Sequence, residues 1–91
     1  MAFTKEEAVE RARRDLAARL SVKENDIEQE SVEDVDLPDM ALGAAVKGEM
    51  SGQMITPGWR IRLTVNGKTF EYRANKHQLR LFNYKGENYK I

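Results

Sequence analysis

The Asn66-Gly67 dipeptide and the alternating residues on either side of it constrain the fold of this chain more than anything else in it. Trp59, Ile61, Leu63 and Val65 alternate with Arg60, Arg62 and Thr64, and Phe70, Tyr72 and Ala74 alternate with Thr69, Glu71 and Arg73. Alternation of this kind sends successive side chains to opposite faces of a strand, and Asn-Gly supplies the two positive-φ residues of a type I′ turn. A two-residue turn sets the register. Leu63 then opposes Phe70, Ile61 opposes Tyr72 and Trp59 opposes Ala74 on an apolar face, while Thr64 opposes Thr69, Arg62 opposes Glu71 and Arg60 opposes Arg73 on a polar one. After a turn at 75–78, Leu79 and Leu81 continue a third strand, with Arg80 and Phe82 pointing the other way. Lys85-Gly86-Glu87-Asn88 turns the chain again before Tyr89 and Ile91.

The apolar face of such a hairpin needs a second layer, and the N-terminal segment supplies a helix over about residues 4–20. Thr4 with Glu7 forms a capping box, and Phe3 stands where a hydrophobic staple begins. Val9, Ala12, Leu16 and Leu20 follow at helical spacing as one narrow stripe. Glu7 with Arg11, Glu10 with Arg14 and Asp15 with Arg19 are acid-before-base pairs at i, i+4, which reads as a solvated face. Ser21 ends the helix, and Val22 and Ile27 return to the core. Between 28 and 37 the apolar residues Val32, Val35 and Leu37 fit a strand with a bulge between Val32 and Val35, stopped by Pro38. Residues 39–58, with four glycines, a proline and three methionines, form a long connection containing a brief helical turn near 41–46. Connections of this length in small domains are disproportionately functional. The expected architecture is α+β: one domain spanning 1–91, with one N-terminal helix packed on a three- to four-stranded antiparallel sheet. Its strands fall at about 28–37, 59–65, 68–74 and 79–84.

Formal net charge is zero, but the charges are segregated. Residues 1–50 carry 7 basic and 13 acidic side chains, a net of −6, and residues 51–91 carry 8 basic and 2 acidic, a net of +6. Eight acids and no base lie between Glu24 and Asp39. If the acidic strand lies beside the basic hairpin, the carboxylates face Arg60, Arg62 and Arg73 and the split closes internally. The chain has no cysteine, which excludes disulfides, thiolate zinc sites and a cysteine nucleophile. No apolar run approaches the length of a membrane span, and the N-terminus lacks a basic-then-apolar leader. A cytoplasmic protein is therefore expected, or an exported one if a signal precedes residue 1.

Asp15 to Leu20, Ser31 to Val35, Pro38-Asp39 with Leu42-Gly43, and Ile55-Thr56-Pro57-Gly58-Trp59-Arg60-Ile61 followed by Phe70-Glu71-Tyr72 carry a further signal. From Ala8 to about Phe82 the chain resembles a family of small prokaryotic domains of uncharacterised function, many of them exported. The resemblance implies this α+β fold and supplies no catalytic residues to carry over. It also implies a cysteine pair in many relatives, one directly after the Leu-Gly and one near the end of the third strand; here Ala44 fills the first position and no cysteine is available for the second.

The residue types that usually carry catalysis are sparse. His77 is the only histidine and stands in a turn beside Lys76. Ser51 lacks the spacing of a nucleophile elbow, and Glu33, Asp34, Asp36 and Asp39 match no calcium loop. No phosphate-binding glycine motif occurs, and neither a cofactor nor a metal is expected. Binding is the expectation instead, and two regions offer it. Arg60, Arg62 and Arg73, with Arg80 and Phe82 adjoining, place guanidinium groups beside an aromatic ring, the usual platform for single-stranded nucleic acid, although the balanced net charge argues against strong polyanion affinity. Met50, Gln53, Met54 and Ile55 place apolar and polar side chains in the long connection, which favours a protein or peptide partner met by this loop or by a sheet edge. A helix cradled by an antiparallel sheet is also similar to the cystatin protease inhibitors. Their Gln-x-Val-x-Gly hairpin is not reproduced, because Gln53 to Gly58 is one residue too long.

Overall fold

The computed structural model describes residues 2–91 and arranges them as one α-helix, a single 3-10 turn and five strands. Helix α1 (Lys5–Leu20) opens with the capping box: the Glu7 N–H donates to the Thr4 hydroxyl, and the Thr4 N–H donates to the Glu7 carboxylate. It closes at Ser21, which takes a left-handed conformation (φ 54°) and donates its N–H to Ala17 O. The turn Glu24–Asp26 then drops Ile27 into the core. Strands β1 (Glu28–Leu37), β2 (Thr56–Val65), β3 (Lys68–Ala74), β4 (Leu79–Tyr84) and β5 (Glu87–Lys90) form one antiparallel sheet in the order β1-β2-β3-β4-β5.

The sheet has five strands, not three to four. β5 is only four residues long, and the β4–β5 register shifts between Leu81 and Tyr84, where Asn83 adopts φ 51°. That shift breaks the alternation by which a strand is recognised in sequence. The β2–β3 pairing carries the register set by Asn66-Gly67, from Trp59 opposite Ala74 to Val65 opposite Lys68. In β1 the bulge lies elsewhere than expected. The register slips between Gln29 and Ser31, so Glu30 is the extra residue, and Val32 to Leu37 run without interruption opposite Ile61 to Thr56. Val32 and Val35 therefore lie on opposite faces, because an odd separation in an unbroken strand cannot do otherwise.

One face of the sheet packs on α1. Ala8, Val9, Ala12, Leu16 and Ala17 of the helix meet Ile61, Leu63, Tyr72, Ala74, Leu79 and Leu81, with Leu20, Trp59 and Phe70 partly buried around them. Trp59 stands at the periphery of this core, not at its centre. A polar link crosses the layer: the Tyr72 hydroxyl donates to Asp15 Oδ2 at 2.7 Å, and Arg19 Nε donates to the same oxygen at 2.7 Å. The Arg19 guanidinium lies 4.5 Å from the Tyr89 ring centroid and 5.6 Å from that of Tyr84. Asp15 and Arg19 are thus partly buried between layers and not on a solvated face. Among the described residues, neither Glu7 with Arg11 nor Glu10 with Arg14 closes as an ion pair.

Burial pushes the Tyr72 hydroxyl well above the usual tyrosine range, reinforced by the hydrogen bond it donates to the Asp15 carboxylate and by that carboxylate's charge. Tyr72→Phe removes a hydrogen bond to a charged acceptor and is expected to lower stability by about 1.5–3 kcal/mol in chemical denaturation. Asp15→Ala is expected to cost more, since it leaves both the hydroxyl and the guanidinium without their acceptor.

Candidate functional site

The other face of the sheet carries Arg60, Arg62, Glu71, Arg73, Arg80 and Phe82, and no helix covers it. Alternation in β2, β3 and β4 requires that placement once Ile61, Tyr72 and Leu81 point to α1. All five residues of the expected basic platform therefore come together on one surface, and there they bind the protein itself. Glu71 sits among three arginines: its carboxylate lies 2.8 Å from Arg73 Nε and 3.6 Å from both Arg60 Nε and Arg62 Nε. Glu33 of β1 approaches Arg62 at 3.8 Å and Arg60 at 4.0 Å. The acidic strand thus answers the basic hairpin through one carboxylate, while Asp34 pairs with Lys5 at 2.9 Å and Glu30 accepts the Thr64 and Thr69 hydroxyls. Arg73 is the exception to pairing with β1; its guanidinium stacks 3.7 Å from the Phe82 ring centroid.

Residues 38–55 close over this face as a strap. Arg73 Nη1 donates to the carbonyls of Leu42 and Gly43, each at 3.2 Å. Arg80 is the most deeply held charge, 5% exposed: it donates to Ala44 O at 3.3 Å and to Gln78 Oε1 at 2.8 Å, and it grips Glu49 with both terminal nitrogens, Nη2 to Oε2 at 2.8 Å. A bidentate guanidinium–carboxylate pair of this kind is among the strongest polar contacts a protein makes. Gln78 Nε2 donates to Met40 O and Asn88 Nδ2 to Ala45 O, both at 2.8 Å. Asp39 Oδ1 accepts the N–H groups of Ala41 and Gly43, which shapes the first turn of the strap. Leu42 takes φ 61°, a strained value for a branched side chain, and is held there by complete burial and by Arg73 at its carbonyl.

The strap buries Ala41, Leu42 and Ala44 but leaves a row of apolar side chains outside: Met40 is 50% exposed, Met50 96%, Met54 63% and Ile55 68%, with Gln53 exposed among them. These include all four loop residues singled out in the sequence. The structure adds Glu49, the only carboxylate between Asp39 and Glu71. Its isolation in an apolar connection facing a basic hairpin is the signal that marks it. The helical turn expected near 41–46 is a succession of tight turns, with Ala44 N–H donating to Ala41 O and Glu49 N–H to Val46 O.

His77 is exposed in the β3–β4 turn, where Asn75 Oδ1 accepts its backbone N–H. Among the described residues, no three His, Cys, Asp or Glu side chains gather as a metal site, and no helix is long and apolar enough to cross a membrane.

The Arg80 pair, with help from the Val46 N–H, holds the Glu49 carboxyl well below its ordinary range, at about 2. A depressed folded-state pKa adds stability above the unfolded carboxylate value near about 4.3 and loses it as pH falls toward 2. Glu49→Gln is expected to lower stability at neutral pH by about 2 kcal/mol and to flatten the loss between pH 4.3 and 2, as measured by denaturation across that range.

The strap and the sheet beneath it account for most of the segment by which the chain can be compared with others. No curated protein and no solved structure matches it. Residues 9–82, from the core stripe of α1 through β4 to the Phe82 ring under Arg73, match the model of a family described as a domain of unknown function, DUF8738. The chain belongs to that family.

Proposed function

We propose that this protein is a small non-enzymatic binding module that docks a protein or peptide through the apolar side chains displayed by the 38–55 strap. The observation that carries this reading is the contrast within one segment. Its backbone is tied to the sheet by Arg73, Arg80, Gln78 and Asn88, while Met40, Met50, Met54 and Ile55 project from it uncovered. A fixed backbone lowers the ordering cost of association, and methionine adapts to irregular apolar partners. Contiguous exposed apolar patches on a protein surface mark interaction sites.

The sheet edges support docking less well. The exposed edge of β1 carries Glu28, Glu30, Glu33, Asp34 and Asp36, and charges on an edge strand discourage strand addition; β5 offers only four residues. Nucleic-acid binding by the arginine face would first have to displace Glu71, Glu33 and Glu49 from the guanidinium groups. As a prokaryotic module of the cytoplasm, the protein would meet its partner through apolar contact.

The test places a photo-crosslinker at position 53 of the full chain in a lysate and follows the captured species. Capture is expected to survive high salt and Arg62→Glu, and to be lost in Met54→Asp and Ile55→Asp, whose stability should be unchanged because both sites are exposed. Capture insensitive to the aspartate changes, or binding confined to oligonucleotides and falling steeply with salt, would overturn the proposal.

A further inference from the structure

The fold brings Met40 against Gly52, which stands between Met50 and Met54 in the chain. The Met40 N–H donates to Gly52 O at 3.0 Å, and Gln78 Nε2 holds the Met40 carbonyl at 2.8 Å, so the Met40 backbone is pinned from both sides. Its thioether lies against Gly52: a carbon added there would stand 2.6 Å from the Met40 sulfur. Gly52 is midway between Met50 and Met54, two residues from each, so both α-carbons lie within about 7 Å of the glycine that Met40 covers. Met50 and Met54 are largely free in solvent, and each has three rotatable bonds with which to bring its sulfur inward.

The surrounding chemistry selects what such a site can hold. Of the two carboxylates adjacent in sequence to these methionines, Glu49 is occupied by Arg80 and Asp39 accepts the Ala41 and Gly43 N–H groups, and the chain contains no cysteine. Hard cations need several oxygen ligands, and zinc prefers thiolate and imidazole, so neither is served here. Neutral thioethers are soft donors that favour copper(I), and three of them leave the full ionic charge uncompensated, which suits a monovalent ion better than a divalent one. We propose that Met40, Met50 and Met54 form a thioether site for a soft monovalent cation of the copper(I) and silver(I) type. This site shares side chains with the docking row but does not depend on it, because apolar docking needs their bulk and coordination needs their sulfur.

The experiment titrates the full chain with silver(I), and anaerobically with copper(I) against a competing chelator, beside the triple variant Met40→Leu, Met50→Leu, Met54→Leu. Uptake of a single equivalent by the parent, absence of zinc(II) competition and loss of uptake in the triple variant are expected. Methyl resonances of Met40, Met50 and Met54 should shift together with silver(I), while that of Met1 stays in place; this reading stands even if the variant folds poorly. No uptake by the parent, equal uptake by the triple variant, or shifts confined to Met1 and His77 would overturn the site. Leucine keeps the apolar bulk, so partner capture that survives in the triple variant while metal uptake disappears separates this proposal from the docking reading.

Discussion

One helix can cover only one face of a five-stranded sheet, and in this protein the guanidinium of Arg80 closes the other. Burying a cation on a sheet face is unfavourable unless its charge and its donors are all answered. Here they are answered by Glu49, Gln78 and the Ala44 carbonyl, two of which belong to the strap. Stability and presentation are therefore the same contact. Whatever holds Arg80 down also fixes the backbone from which Met50, Met54 and Ile55 project. The Ala44 carbonyl accepts from Arg80, so a hydrogen bond ties the strap to the sheet at that point.

The segregation of charge along the chain has its explanation in this layering. Glu71 and Glu33 sit among Arg60, Arg62 and Arg73, Glu49 answers Arg80, and Lys5 of the helix reaches Asp34 of the acidic strand. The pairs differ in worth. Those around Arg62 and Glu33 are half-exposed and contribute little each, whereas the Arg80 pair is enclosed, and breaking it leaves a charge stranded. On this face the guanidinium groups are matched by carboxylates, and the large side chains left exposed on the strap above it are apolar.

Much of the sheet was legible because its signals are local. Asn66-Gly67 dictates a register without reference to the rest of the chain, and Thr4 with Glu7 announces a helix start by their own hydrogen bonds. The bulge in β1 was misplaced because alternation locates a phase change only where apolar residues report it, and Gln29, Glu30 and Ser31 are all polar. β5 escaped because it is only four residues long and the irregularity at Asn83 lies in its partner β4, shifting the register between them. Met50, Met54 and Ile55 could be singled out from the sequence, but neither the exposed Met40 nor the partners of Arg80 could. That guanidinium meets Glu49 and Ala44, 31 and 36 residues away, and no pattern within a strand encodes a contact between a strand and an irregular strap. Asp15 shows the converse: its spacing to Arg19 was visible, while the Tyr72 hydroxyl that buries the pair arrives from 57 residues away.

Amide hydrogen exchange in an Arg80→Met variant tests most directly whether this one side chain holds the strap. The Gly43, Ala44 and Val46 N–H groups, bonded to Asp39, Ala41 and Glu49, report on the strap, and those of Ile61 and Tyr72 report on the sheet. The account predicts that the strap amides lose protection while the sheet amides keep theirs, as expected for local opening. Unchanged protection in the strap, or a uniform loss across strap and sheet alike, would contradict it.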